Sequence, residues 1–426
     1  MRLIGSIGLT LLVALCAALI LMLSQAPAPA TCADERDRGI YDVTCFGATL
    51  RDNTEDSSAV QSAINAMPAT GGATLRFPYG VAVVRNLTLS GKDEIRIEGP
   101  GTVRRFAAPG NVPIMQVTNS DELTITKLRV NVNGIEMYGG ITVDGSDRVR
   151  IRDTYAFDSN LNPSWIDYDH YSFVVQGGTG LRFVGNEADN VEMLELDNWN
   201  RGIVAHNRAE RAAGTTAIGS FGVGNGYHLR NVKFLDNEII DPRKYGFVIQ
   251  NEGGGLSNMT VENITVARNT ISHETSVAAA DRNHMAFGNF TGAQSGTGNV
   301  RRNVRVIDNE LLTAPNLAPR TGPALFINDP APGQDFDEFE IRGNRVTGPR
   351  MGEWNFDLRG LTDSEVVRNV SRGGEYGIAL TGVAGTRVDG NRVRCALVQD
   401  FRGPGQPPAG RVQPCRARHG RARATG

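Results

Sequence analysis

Apolar and polar side chains alternate in short runs along most of this chain, as at Leu87-Thr88-Leu89, Ile95-Arg96-Ile97, Leu123-Thr124-Ile125, Val149-Arg150-Ile151 and Val261 to Val266. A period of two marks strands with one buried face. From Phe183 onward the runs close on one recurring phrase: an apolar residue, two others, then asparagine. The pairs are Phe183 with Asn186, Val204 with Asn207, Phe234 with Asn237, Val266 with Asn269, Val306 with Asn309, Ile341 with Asn344, Val366 with Asn369, and Val388 with Asn391. Successive asparagines are 21, 30, 32, 40, 35, 25 and 22 residues apart. A core period stretched by insertions of unequal size is a solenoid signature.

Strand units of this kind, stacked in register, predict an all-β, single-stranded parallel β-helix spanning 81–395. An inward asparagine at a corner of each coil can bond to turn backbone and to its equivalents above and below, because one amide carries both donor and acceptor. The coils between Val84 and Ile151 show the same strands without the asparagine. Past Val393 the alternation stops, and the stretch 396–426, rich in Arg, Pro and Gly, reads as a disordered tail.

The segment 31–80 reads as a cap on this helix of strands. Val60, Ile64 and Met67 recur at α-helical spacing, Thr54 or Asp56 supplies an N-cap, Gly71-Gly72 ends the element, and Ala73 to Pro78 forms the next strand. Phe46-Gly47-Ala48 followed by Thr54-Glu55-Asp56-Ser57, the helix, a Gly-rich turn and the Phe77-Pro78 strand resembles the opening motif of the pectate-lyase-like superfamily, which includes rhamnogalacturonase, epimerase and tailspike relatives. The Gly-Asp-Gly turn usual there is replaced by Leu50-Arg51-Asp52. The resemblance covers about 50 residues by motif and the rest by repeat architecture. It implies a right-handed β-helix with a short N-terminal capping α-helix, and it does not imply one reaction.

Composition narrows the class. Lys+Arg 44 against Asp+Glu 46 leaves no overall cationic surface for nucleic acid. Leu9 to Leu23 is almost wholly apolar after Arg2, and Ala26-Pro27-Ala28-Pro29-Ala30 offers small residues for a signal peptidase, so 1–30 reads as a secretion signal, with an uncleaved anchor as the alternative. Cys16 lies within it. The remaining four cysteines fall into two local pairs, Cys32 with Cys45 and Cys395 with Cys415, which in an exported chain suggests two disulfides, one at each end. No Cys-x-x-Cys or Cys-His spacing supports a metal site.

An extended polymer suits the outer side of one sheet, since both repeat in one dimension. Aligning the coils on the asparagine phrase gives a second polar column, Asp144, Gln176, Asp197, Gln250, Asn289 and Asn328, suited to sugar hydroxyls. Within it Glu195 and Asp197 stand at i and i+2 on one face of an exposed strand, roughly 6.5–7 Å apart along the backbone, the lower end of the separation inverting glycosidases use. Trp165, Tyr168, Asp169 and His170 in one insertion, Arg243 and Lys244 in another, and Asp281, Arg282 and His284 in a third would wall a groove over that pair. Hydrolysis by Glu195 and Asp197 is the first expectation, with polysaccharide as partner. The second is uronate elimination or epimerisation using His170, Asp169 and Lys244, where Ca²⁺ is a possible cofactor. The third is a noncatalytic surface protein. Asp167-Tyr168-Asp169-His170 only faintly echoes the Asp-Pro-His-Asp of mannuronan epimerases, the polygalacturonase motif set is absent, and Gly226-Tyr227-His228 does not replace its histidine. No catalytic residue therefore carries over from either family.

Overall fold

The computed structural model describes residues 31–394, apart from 52–53, 107–111, 135–138, 161–170, 223, 252–255, 276–282, 290–297, 315–321, 329–335, 348–353 and 374–375. The expected leader 1–30, the tail 396–426, Cys395, Cys415, the insertion carrying Trp165, Tyr168, Asp169 and His170, and Asp281 and Arg282 lie outside the described residues. The chain divides into residues 1–40 and 41–426. In the first unit the short helix Cys32–Asp37 starts on a capping box: Asp34 N donates to Thr31 Oγ1 at 3.2 Å, and Thr31 N donates to Asp34 Oδ2 at 3.0 Å. Cys32 and Cys45 are both disulfide-bonded.

In the second unit the chain visits three sheets in a fixed order, coil after coil, and every described pairing within them is parallel. One coil shows the plan: Thr179–Val184 lies in sheet II, Glu187–Asp189 in sheet III, Glu192–Asp197 in sheet I, and Trp199–Ala205 begins the next coil in sheet II. Sheet I has 11 strands, sheet II 15 and sheet III 12 among the described residues. This is a right-handed parallel β-helix, the hand that twisted strands impose on parallel crossovers.

The apolar members of the repeated phrase stack directly on one another. Phe183, Val204, Phe234, Val266, Val306, Ile341 and Val366 are in-register neighbours on sheet II, with Ile151 of the preceding coil before them, each at most 1% exposed. Burial of such a side chain contributes about 1.5–3 kcal/mol, but the column fixes only the spacing of the coils. The asparagines fix the corner. From Asn186 to Asn369 each side-chain amide donates to the Oδ1 of the next asparagine, the last of them Asn391, at 2.8–3.0 Å, and each also gives its backbone N–H to that same oxygen. The second amide proton goes to a carbonyl one coil back, as from Asn269 Nδ2 to Phe234 O at 3.1 Å. In a corner buried in this way both amide protons of each inner asparagine are given to acceptors and its Oδ1 accepts from the coil before.

Upstream of Asn186 other residues take the corners. Thr154 ends the ladder by donating its N–H and its hydroxyl to Asn186 Oδ1. At the turn from sheet I to sheet II a run of aspartates does similar work, Asp93 accepting from Asp121 N, Asp121 from Asp147 N, and Asp147 from Thr179 N, at 2.9–3.0 Å. The capping helix forms at Ser57–Ala66 and buries Val60, Ala63 and Ile64. Asp56 stands at its N-cap position, but contrary to the expected cap its carboxylate makes no bond to the helix; Oδ1 accepts from Thr49 N at 2.9 Å instead.

Candidate functional site

The strands Tyr171–Gln176, Tyr245–Asn251 and Asn283–Asn289, each of which follows one of the three insertions, all lie in sheet I and are each preceded in the chain by a strand of sheet III. Glu192–Asp197 lies in the middle of sheet I, between Tyr171–Gln176 and Thr216–Gly222. The inward positions of these strands, Phe173 and Val175, then Leu194 and Leu196, then Ile218, are core residues. By the period of two, Glu195 and Asp197 face outward, as expected.

The polar column is real over its first three members, where Asp144 pairs with Gln176 and Gln176 with Asp197. It is then interrupted. Following the register from Glu195 opposite Gly219 puts Phe221 opposite Asp197, and Phe221 in turn pairs with Gln250. Asn289 is not in the column: Gln250 pairs with Gly288, while Asn289 pairs with Asn251. The reason is steric. At Gly288, with φ +119°, a Cβ would lie 2.0 Å from the backbone oxygen of Asn328, so the rung where a polar side chain was expected admits only glycine.

The strand expected to be solvated is buried throughout: Glu195 and Asp197 are each 3% exposed and Gln250 5%. Their surroundings on the outer face are apolar, with Val174, Val248 and Ala286 fully buried in a cluster with Tyr171, Phe221 and Tyr245, and Phe326 packed against it. Tyr171 and Phe221 make a tilted ring contact, centroids 6.2 Å apart. Carboxylates in such a setting are costly to bury and acquire specific donors. Asp197 Oδ1 accepts from Phe221 N at 2.7 Å and, at 3.5 Å, from Ser220 Oγ.

Ser220 also donates to Leu196 O and shares a short hydrogen bond with the Tyr227 hydroxyl. Burial, and then the Asp197 carboxylate, push the Tyr227 phenol well above its usual value; the Ser220 bond lowers it and the Glu195 carboxylate raises it further. Tyr227 therefore remains a phenol at any physiological pH. In the sequence Tyr227 stands out only as a neighbour of His228; its position next to Asp197 follows from the register, since Leu229 pairs with Trp199. Ser220 and Phe221 carried no signal beyond membership of an apolar strand. Glu192, fully buried, accepts from Thr216 N at 2.7 Å and serves to hold the two strands together.

The cations lie elsewhere. Lys244 Nζ sits 5.5 Å from the centroid of the Tyr245 ring. Tyr245 is opposite Thr216, which is opposite Glu192, so Lys244 enters sheet I about 16 Å along the strand from Asp197. Burial lowers the Arg243 guanidinium, and Asp158 opposes that shift; burial raises the Asp158 carboxyl, and the amides of Asn160 and Gly134 and the charge of Arg243 oppose it. His284 does not face a groove. It is fully buried with its ring against that of His273, centroids 4.5 Å apart, and its Nε2 lies 2.7 Å from Leu312 O. No group of three or more His, Cys, Asp or Glu among the described residues is arranged to hold a metal ion.

Gly219 keeps the outer face closed beside Glu195. A Cβ there would meet Phe221 Cε2 at 2.5 Å and Thr216 Cγ2 at 2.6 Å. We expect Gly219→Ala to displace the Phe221 ring and to destabilise the chain by about 1–3 kcal/mol. Gly224→Ala, where nothing lies within 4 Å, should stay within about 0.5 kcal/mol of the parent. Urea unfolding of both variants beside the parent measures the difference, and equal midpoints would contradict this packing.

Compared by sequence, no protein-family model and no curated protein matches the chain. Solved structures do. PfbA, a surface adhesin of Streptococcus pneumoniae, is similar with a TM-score of 0.61 and 13% identity, over 84% of this chain and 90% of that one. A second PfbA structure gives 0.54 at 13% identity, over 83% and 96%. A family 28 exopolygalacturonase of Yersinia enterocolitica gives 0.50 at 11% identity, over 82% and 78%. At such identities the likeness is one of fold, and the fold this chain shares with these proteins is the parallel β-helix.

Proposed function

We propose that this chain is an exported carbohydrate-active β-helix that holds a polysaccharide against the outer face of sheet I and hydrolyses it with Glu195 and Asp197. The observation that carries the reading is the placement of two carboxylates on one outward face, two residues apart, inside a patch formed by Tyr171, Phe221 and Tyr245. Aromatic and apolar walls exclude water and stack on sugar rings, and a carboxyl pair supplies one acid and one base. Asp197, fixed by the Phe221 amide, is the base that activates water, and Glu195, between Val174 and Gly219, protonates the leaving oxygen. Their spacing along the backbone fits an inverting geometry at its lower limit. Export is supported by the apolar leader sequence and by the disulfide state of Cys32 and Cys45. Among the described residues no helix is long and apolar enough to cross a membrane.

A second reading, binding without turnover, draws on the complete burial of Val174, Val248 and Ala286, which closes the outer face where an open trough was expected, and on the likeness to a surface adhesin. Elimination centred on Lys244 has less support, because that cation enters the sheet far along the strand from Asp197, and Arg243 interacts with Asp158. A panel of acidic and neutral polysaccharides, incubated with the full chain and followed by product mass, separates the three. Fragments that have gained water support hydrolysis. Unsaturated fragments overturn it in favour of elimination, and bound but unchanged polymer overturns it in favour of adhesion.

A further inference from the structure

On the outer face of sheet III, Tyr155 and Phe157 stand side by side with centroids 5.3 Å apart and planes 20° from parallel. Arg129, one coil earlier and opposite Tyr155, lies 4.9 Å from one ring and 5.4 Å from the other. The next coils place Glu187 opposite Tyr155 and Asp189 opposite Phe157, then Arg208 and Glu210 opposite those. Tyr155, Glu187, Ala188, Asp189, Arg208 and Glu210 line an open cavity of about 190 Å³. That is room for about six waters, or one pyranose ring.

The charges around the cavity are arranged rather than scattered. Arg208 bonds to Glu210 and Glu238, and Arg211 pairs with Asp189 and Glu210, so both guanidinium groups hold carboxylates in place. Glu187 forms no ion pair among the described residues and keeps its oxygens for other donors. Burial, and then the Asp189 carboxylate, push the Tyr155 phenol up, so it stays a hydroxyl. Two half-buried aromatic rings on a solvated sheet face also expose apolar area that a ligand would cover.

We infer that this cavity on sheet III is a second carbohydrate site, separate from Glu195 and Asp197, which takes a single neutral sugar ring. The ring's C–H face would pack on Tyr155, and vicinal hydroxyls would donate to Glu187 and Glu210 and accept from Arg208. Three carboxylates against one guanidinium line the cavity, so a uronate is disfavoured there. The site does not require turnover at sheet I, so it stands under either reading of that face.

Saturation-transfer NMR on the full chain, with methyl glucoside, N-acetylglucosamine and galacturonate as probes, tests it. At least one neutral sugar should bind, galacturonate should bind at least tenfold more weakly, and Tyr155→Ala should weaken the neutral sugar at least tenfold. Tyr155→Phe, which keeps the ring, should retain binding within about threefold, and an unchanged melting temperature of Tyr155→Ala shows that the loss is not one of folding. Glu195→Gln should leave it unchanged. Absence of any neutral-sugar signal, equal binding of galacturonate, or binding indifferent to Tyr155→Ala overturns the assignment; loss on Glu195→Gln instead locates the sugar on sheet I and overturns it too.

Discussion

Replacing Asn269 by alanine is expected to cost about 3–6 kcal/mol of stability, a loss large enough to unfold many domains of ordinary stability. One side chain is removed, but several buried groups lose their partners. Asn237 N and Nδ2 both donate to Asn269 Oδ1, and Asn269 Nδ2 donates to Phe234 O and Asn309 Oδ1. Asn269 is 3% exposed, so water cannot take its place without opening the corner. Each buried group left unsatisfied costs about 1–3 kcal/mol. The contrast is Asn391, at the last rung, which is only partly buried and can be replaced by water; Asn391→Ala should cost about 1 kcal/mol. Urea unfolding of the two variants beside the parent reads the difference, and equal losses would mean that the ladder does not act through burial.

On the hydrolysis proposed for sheet I, Glu195→Gln is expected to lower kcat by about 10²- to 10⁴-fold on a responsive polymer, the range for removal of a general acid, with KM changed by only a few fold. The amide is nearly isosteric and keeps the outer face packed, so an unchanged melting temperature should accompany the loss. Asp197→Asn retains an oxygen to accept from Phe221 N and should likewise fold. A loss in KM alone, or none in either parameter, would assign Glu195 to binding or to packing.

The repeat was legible because each apolar-x-x-Asn phrase carries its own register, and nothing between the phrases can shift an inward asparagine without stranding an amide. The outer column was legible as far as Asp197 for the same reason, and failed at Asn289 because a bulky rung cannot fit against the backbone of Asn328. Burial of Glu195 was not legible, since alternation reports which face a residue takes and not what packs over that face. Tyr155-Ala156-Phe157 reads as any short alternating strand, and only in-register stacking shows that Arg129 precedes it and Glu187 follows. Nor did spacing reveal a second, exposed line of asparagines on sheet II, where Asn303 donates to Asn263, Asn263 to Asn231 and Asn231 to Asn200. Asn231, Asn263 and Asn303 sit at φ 57°, 57° and 50°, a left-handed bend in mid-strand that asparagine tolerates better than most residues.

The most direct trial of hydrolysis at sheet I is the cleavage of a responsive polysaccharide in ¹⁸O-labelled water, followed by mass spectrometry of the new ends. One labelled oxygen at each new reducing end, formed by the parent and not by Glu195→Gln, is the predicted result. Fragments without label, or labelled fragments released equally fast by the variant, would contradict it.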